Sequence, residues 1–481
     1  MAEKVIYGMP IETASGNKYL YNDNIGMVIP YYLYSDVKFA DKWESQGLFG
    51  LPDGRECNVS RELIKKHLID DGNGFKHLIL SITESCNMRC KYCTYSEHYQ
   101  NNKSYSSAMM DFDTAKMAVD YFYENFKKTL RVNPLRKPAL GFYGGEPLLN
   151  FNLIQKVIDY VLERYPDYNT LLNVTTNGTL LNGDKLEYLI KNNVSIAISL
   201  DGPKEVHDRS RVMREGKGTF DIIMKNIREM KQKYPEYIKC MIIATYDWKT
   251  DLLKSKRFFD ENKDSLPQIS RVDAISAHFS DYYDQFSKED ENKHLEQVNE
   301  LKKMYFERMR SADGDNEVEF SDAFLLGNYA QFLLRPMGVT RRIPMMPYTA
   351  ACIPGEKISV KCDGTFHACE RISPNFPIGN AATGLDFDAI ARMVIEYNKK
   401  IATDCKQCPV KRICGMCMAW CSGKSTFEKN PSNICDIIRG SSKQAIEELY
   451  TMMEQNPKLY ARFTSDYYKK MAELYGTLDG I

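Results

Sequence analysis

The 481-residue chain has no surplus of charge of either sign, since 64 Lys and Arg stand against 64 Asp and Glu. That balance gives no electrostatic case for nucleic acid or an anionic membrane as a partner. Also missing is any apolar run long enough to span a bilayer, and the opening Met1, Ala2, Glu3 and Lys4 lead into polar sequence rather than a secretory signal. These absences point to a soluble, cytoplasmic protein. The length implies about three domains and ample chain to bury a core.

Cysteine, by contrast, is abundant. Fourteen would suit a disulfide scaffold only in a short secreted chain, so the thiols read as reduced and used for metal. Twelve of the fourteen fall in two fields, and only Cys57 and Cys240 stand apart, as ordinary core or surface thiols. The first field is Cys86, Cys90 and Cys93, directly after an apolar strand at 78–82. Three thiolates in one tight loop suit a [4Fe-4S] cluster with one iron left for a small molecule. A zinc loop lacking its fourth ligand is the other reading. About fifty residues on, after a strand at 139–142, come Tyr143, Gly144, Gly145, Glu146 and Pro147. Two glycines let a ligand approach the backbone, and the carboxylate can pair with an amine. A lone Gly-Gly-Glu is usually only a turn; one β-α unit after a CxxxCxxC loop it is a strong signal.

In this combination the motifs resemble the radical S-adenosylmethionine (SAM) family. The resemblance implies that Cys86, Cys90 and Cys93 hold a [4Fe-4S] cluster whose fourth iron takes the amine and carboxylate of SAM, with Gly144, Gly145 and Glu146 at the amine. From 77 to 275 strands and helices alternate. Six β-α units with short, nearly all-apolar strands predict the α/β class: a parallel sheet covered by helices, curved as a partial (β/α)6 barrel with its chemistry at the strand C-terminal ends. Those ends carry Thr176 and Asn177 after the third strand, Ser199 and Asp201 after the fourth, and then His207, Asp208 and Arg211. Hydroxyls and a carboxylate suit ribose, and an arginine suits a carboxylate. By resemblance Thr176 and Asn177 belong to the SAM site, the ribose falls to Ser199 and Asp201, the SAM carboxylate to Arg211, and the adenine lies beside Tyr92. Arg209 and Arg214 compete for the arginine role.

Residues 1–76 read as a separate N-terminal module, with a β-hairpin through Lys18 to Pro30 and a helix capped by Ser60 whose apolar stripe is Leu63, Ile64 and Leu68. Small strands followed by helices are winged-helix-like. By position this resembles the precursor-recognition element of peptide-modifying relatives; an extension packed on the barrel is the other reading. Residues 276–350 form a charged helical bridge, whose stripe of Leu301, Met304, Tyr305 and Met309 reads as core. Residues 351–481 hold the second cysteine field, followed by a packing helix with Ala445, Ile446, Leu449, Tyr450 and Met453.

That field contains nine cysteines, from Cys352 to Cys435. CxxC pairs alone suit zinc ribbons. Cys352, eleven residues, Gly364, four residues and Cys369, followed by the downstream run, resemble the SPASM extension, which carries two auxiliary [4Fe-4S] clusters. The resemblance gives Cys405, Cys408, Cys414 and Cys435 to one cluster and Cys352, Cys369 and Cys417 to the other. Here the chain departs from the family: the usual ligand position falls on Met418, Cys417 comes one residue early and Cys421 three late. The fourth ligand of that cluster is Cys362, Cys421 or an open iron. Glu370 stands where sulfatase-maturating relatives place a general base, or else forms an ion pair with Arg371.

The resemblance implies an oxidoreductase that uses SAM and three [4Fe-4S] clusters, fed by a flavodoxin- or ferredoxin-type electron donor, to generate a 5'-deoxyadenosyl radical. The expected substrate is a ribosomally made, cysteine-containing precursor peptide. The expected product is a thioether cross-link of the sactipeptide or ranthipeptide type. Formylglycine formation, as in anaerobic sulfatase maturation, and carbon-carbon cross-linking are the alternatives. A metal-binding scaffold without turnover needs no SAM pocket.

Overall fold

The computed structural model describes residues 8–45, 57–99, 104–310, 320–338, 345–348, 352–429 and 433–477. It opens with an antiparallel meander, β1 (Met9–Glu12), β2 (Lys18–Asn22) and β3 (Met27–Pro30). The β2–β3 hairpin is the one the sequence predicts. Strand β1 is four residues long, too short for its alternation to stand out. It lies against the helix Ile434–Gln455: Glu12 N donates to Glu447 Oε1 (3.1 Å), and Thr13 and Tyr19 hydroxyls both donate to Glu454 (2.7 and 2.6 Å). Ser60 caps the helix Arg61–Lys65 by accepting from Leu63 N at 3.2 Å, and Ile64 and Leu68 are fully buried. This helix packs on another, Phe387–Lys400.

Six strands follow in sequence order, each parallel to the last: β4 (His77–Thr83), β5 (Ala139–Gly144), β6 (Leu171–Thr176), β7 (Ser195–Ser199), β8 (Cys240–Tyr246) and β9 (Gln268–Ala274). Helices such as Phe112–Thr129, Phe151–Arg164 and Phe220–Lys233 cover one face. Their apolar stripes face the sheet, with Ala118, Phe122, Ile154, Val157, Ile158, Val161, Ile223, Ile227 and Met230 all buried. Because the strands are parallel, their C-terminal ends share one rim, and every motif singled out between Cys86 and Arg211 lies on or just beyond it.

Strand β4 is buried along its whole length and does not end the sheet. Strand β10 (Lys357–Val360) pairs with it in parallel, and β11 (Thr365–His367), β12 (Gly379–Asn380) and β13 (Gly384–Leu385) add on antiparallel, giving ten strands in all. The start of the second cysteine field is therefore hydrogen-bonded into the barrel's own sheet, and it covers what would be a bare edge. In the bridge helix Lys288–Arg310, Leu301 and Tyr305 are core, whereas Met304 is 37% exposed, contrary to the expected stripe; the side chain of Met309 lies outside the described residues. In the C-terminal helix Ala445, Ile446 and Leu449 are buried, and Tyr450 and Met453 are half-buried. No helix among the described residues is long and apolar enough to cross a membrane.

Candidate active site and cysteine centres

The cysteine loop leaves β4 and is tied down along its length. Arg214 donates to Cys86 O (2.7 Å) and Ser85 Oγ (3.1 Å), Arg89 N to Val212 O (2.8 Å) and Lys91 N to Ser210 O (3.0 Å). Around the sulfurs the polar contacts are donors: Met88 N to Cys86 Sγ and Tyr95 N to Cys93 Sγ, each at 3.4 Å, with Asn177 Nδ2 3.9 Å from Cys86 Sγ. Burial pushes two of the thiols up, Cys86 to about 11 and Cys90 to about 12, so these two ionise readily only beside positive charge. All three line one cavity of about 330 Å³. Among the described residues no three His, Cys, Asp or Glu side chains converge on a single-ion position. A cluster, which takes each thiolate on a different iron, is what this donor set fits.

Strand β5 delivers the Gly-Gly-Glu turn against that loop. The glycines do something other than clear space for a ligand. A Cβ on Gly145 would sit 2.2 Å from Ser85 O, and one on Gly144 (φ +137°) 2.3 Å from Thr83 O. Gly145 N and Glu146 N donate to those same oxygens, at 2.7 Å to Thr83 and 2.9 Å to Ser85. The turn is the seat of the cysteine loop. Gly145→Ala is expected to destabilise the fold by about 1–3 kcal/mol through overpacking and to reduce iron incorporation, as read by denaturant unfolding and an iron assay.

Glu146 is 1% exposed and receives three donors: Thr176 Oγ1 (2.7 Å), Asn177 N (2.7 Å) and Leu148 N (3.0 Å). Burial outweighs these bonds and lifts its carboxyl to about 7. Thr176 and Asn177, expected to touch a cofactor, here orient Glu146; the Asn177 side chain also braces Asn87 (2.9 Å).

Asp201 is the residue whose place differs most from expectation. It does not line the cavity. Its Oδ2 accepts from Tyr92 OH (2.5 Å) and Arg211 Nε (2.8 Å), and its Oδ1 from Thr245 N (3.0 Å) and Thr245 Oγ1 (3.1 Å). Burial alone would raise this carboxyl, but Arg211, His207 and Tyr92 hold it below the usual range. With both oxygens engaged inside the protein, Asp201 anchors Tyr92 and Arg211 rather than facing a ribose; Ser199 is on the cavity wall. The three arginines also separate. Arg209 pairs with the buried Asp247 (2.6 Å), Arg214 braces the cysteine loop, and Arg211 reaches the cavity. The His207 signature is internal. His207 bonds Thr219 Oγ1 (3.0 Å), and Asp208 accepts from Thr219 N and Phe220 N (2.8 and 2.9 Å), locking the turn before the next helix.

The opposite wall was largely absent from the sequence reading. Tyr95 stacks on Tyr105 (5.4 Å) with Arg89 over the Tyr105 ring (4.0 Å), and His278 stacks on Trp420 (4.9 Å). The C-terminal end of β9 adds Arg271 and Asp273, paired at 2.8 Å. Its position on the rim was the available signal. Glu370 lines this wall and lies 3.8 Å from Arg371. Burial opposes its charge, yet Lys357, Arg371 and His77 hold its carboxyl below the usual range, so it is anionic at neutral pH.

In the second field Cys405, Cys408, Cys414 and Cys435 lie within electrostatic reach of one another. Cys417 lies within reach of Cys352, Cys369 and Cys421, and Cys421 is also within reach of Cys435 in the first group. Cys362 is elsewhere, its Sγ 3.3 Å from Ser81 O and 3.7 Å from Ala108 O.

The Radical SAM superfamily family model matches residues 80–249. A cysteine-type anaerobic sulfatase-maturating enzyme of Clostridium novyi is 31% identical over 163 residues, 33% of this chain and 41% of the relative. A radical SAM cyclopropyl synthase of Paramaledivibacter caminithermalis is 23% identical over 397 residues, 80% of this chain and 76% of the relative. The chain spans less than half the length of the curated relatives of 40% and 31% identity. Among solved structures, anSMEcpe with bound AdoMet superposes with a TM-score of 0.59 at 20% identity, over 83% of this chain and 98% of the other. The parallel barrel thus has the radical SAM fold, and residues 80–249 of it match the Radical SAM superfamily.

Proposed function

We propose that this protein is a radical SAM maturase that takes a hydrogen atom from a cysteine-containing peptide. The observation that carries this reading is the shared cavity, which has Cys86, Cys90, Cys93, Glu146, Ser199 and Arg211 on one side and Glu370, His278 and Trp420 on the other. When bound, a [4Fe-4S] cluster on the three cysteines together with SAM supplies a 5'-deoxyadenosyl radical. The chain's own part is placement. Glu146 takes the SAM ammonium, Arg211 its carboxylate, Ser199 the ribose and the Tyr92 ring the adenine, while the aromatic wall keeps water from the reacting carbon. Cys405, Cys408, Cys414 and Cys435, and Cys352, Cys369 and Cys417, would hold two auxiliary [4Fe-4S] clusters in a SPASM arrangement, which would supply a sink for one electron. A flavodoxin- or ferredoxin-type donor and a cytoplasmic location belong to the same reading, as does a leader-recognition role for residues 1–76.

The product we favour is a thioether from the substrate sulfur to a neighbouring carbon. Formylglycine is a second reading with its own support: an anionic Glu370 on the cavity wall, placed to take a thiol proton, and the sulfatase-maturating relatives. Anaerobically reconstituted full-length protein, given SAM, dithionite and a cysteine peptide, is expected to release 5'-deoxyadenosine. A peptide that keeps its sulfur and loses two hydrogens identifies the cross-link; one that exchanges sulfur for oxygen identifies formylglycine. No 5'-deoxyadenosine would overturn the enzyme reading. In either case Glu370→Gln is expected to slow product formation by about 10²–10⁴-fold, as for a lost general base, with SAM cleavage continuing.

A further inference from the structure

We infer that a second cavity, beside the cysteine loop, is the docking site of an acidic, flavodoxin-type electron donor. This rests on the radical SAM reading above, in which each SAM cleaved takes one electron from outside. The cavity has a volume of about 640 Å³ and is bounded by Arg89, Lys91, Arg209, Lys249, Tyr282 and Phe286. Cys90, Tyr95 and Tyr105 line both this space and the catalytic cavity. The two are thus parted by one cysteine of the loop and by the Tyr95–Tyr105 stack, whose ring centres are 5.4 Å apart. An electron entering from the second cavity meets the Cys90 sulfur without crossing the space that takes SAM and substrate. The reduced flavin loses one electron, and that electron is consumed in splitting one SAM into methionine and the 5'-deoxyadenosyl radical.

The lining fits such a visitor. Four Lys and Arg side chains face one carboxylate, Glu97. Two of the four are answered within the protein, since Arg209 pairs with the buried Asp247 (2.6 Å) and Lys249 lies 3.7 Å from Asp290; His98 is held by Asp281 (2.6 Å). Arg89 and Lys91 have no carboxylate at ion-pair distance among the described residues. The Arg89 guanidinium donates to Cys86 O (2.9 Å) and Met88 O (2.6 Å) and lies over the Tyr105 ring, so its charge is fixed next to the cysteines. Lys91 is exposed, one residue from Cys90. Unanswered positive charge at the mouth steers an acidic partner onto it. The walls are aromatic: Phe286 packs on Tyr282 (5.5 Å) with the Lys249 ammonium 5.2 Å from its ring, and Tyr105 closes the inner end. A planar flavin edge can use that surface, which favours a flavodoxin over an iron-sulfur carrier. Electron-transfer encounters are among the smallest protein interfaces, so one charged concavity is footprint enough.

The test uses the full-length protein, reconstituted anaerobically, as wild type, as the double variant Lys91→Glu with Lys249→Glu, and as Lys225→Glu, an exposed charge on the helix Phe220–Lys233, which lines neither cavity. Titration with an acidic, oxidised flavodoxin is expected to show a Kd raised at least about tenfold in the double variant. The wild-type Kd should rise with salt, and Lys225→Glu should bind as wild type does. Release of 5'-deoxyadenosine driven by sub-saturating reduced flavodoxin should fall by the same factor in the double variant, while release driven by dithionite stays at the wild-type rate and shows that the variant is folded. An unchanged flavodoxin Kd overturns the site, and so does an equal fall with dithionite. A raised KM for the cysteine peptide under dithionite, with flavodoxin affinity intact, makes the cavity a peptide path and overturns it too. Weakened binding of an acidic ferredoxin but not of flavodoxin overturns the carrier. A wild type that releases no 5'-deoxyadenosine even with dithionite defeats the radical SAM reading instead, and the titration alone then decides the docking site.

Discussion

Asp201→Ala will destabilise the folded protein by about 3–5 kcal/mol, the usual cost of stranding one partner of a buried ion pair. Asp201 is 4% exposed and Arg211 7%, and among the described residues the Asp201 carboxylate is the one acidic partner of Arg211 at ion-pair distance. Truncation leaves the buried guanidinium charged without its carboxylate, the Tyr92 hydroxyl without its acceptor and Thr245 N unmatched. The loss extends to ligand binding. Arg211 and Tyr92 reach the cavity from either side of Asp201, with the guanidinium carbon 5.3 Å from the Tyr92 ring centre. SAM affinity is therefore expected to fall at least about tenfold, a little over 1 kcal/mol. Asp208→Asn is the control. It keeps an acceptor oxygen for Thr219 N and Phe220 N, so it is expected to change stability by less than about 1 kcal/mol and to leave SAM affinity as it was. Denaturant unfolding and calorimetric titration with SAM read both quantities. An Asp201→Ala protein as stable as wild type, or one binding SAM equally well, would show that Arg211 is held by something other than this pair.

The contrast between Asp201 and the cysteine loop explains what a sequence can disclose here. Cys86, Cys90 and Cys93 lie within one loop, so their spacing alone says that they act together. The six barrel strands are legible because each is a short run rich in apolar residues, as in β4, which is buried along its length and carries Leu78, Ile79, Leu80 and Ile82. The partners of Asp201, in contrast, are 10, 44 and 109 residues away, on three other segments, and no local pattern encodes that meeting. Sequence placed Asp201 at the right strand end and gave it the wrong neighbour. Gly144 and Gly145 line the cavity as expected, but their close contact with Thr83 O at the end of β4 and Ser85 O in the cysteine loop is equally invisible in the sequence. That β10 would pair with β4 was equally hidden, since the two strands are nearly three hundred residues apart in the chain and a four-residue run carries little periodicity.

Glu146 should make SAM binding depend on pH in a direction opposite to that of the protein's own stability. In the ligand-free protein burial raises its carboxyl from the ordinary 4.5 to about 7. The folded state then holds a proton that the unfolded state has already released. This group's contribution to stability is full below about 4.5 and is lost as the pH rises through about 7. An ammonium needs the anion, so binding is strongest above about 7 and falls by about tenfold per pH unit below it. Melting temperature followed from pH 6 to pH 8 without ligand should decline in this term, and the rise produced by saturating SAM should grow over the same interval. Glu146→Gln removes the titration and the charge together. It should flatten the pH dependence of the SAM-induced shift and weaken SAM by about 10–100-fold, the 1.5–3 kcal/mol of a hydrogen bond to a charged group. Retention of the wild-type slope by Glu146→Gln would move the titrating group elsewhere and take the ammonium away from the β5 turn.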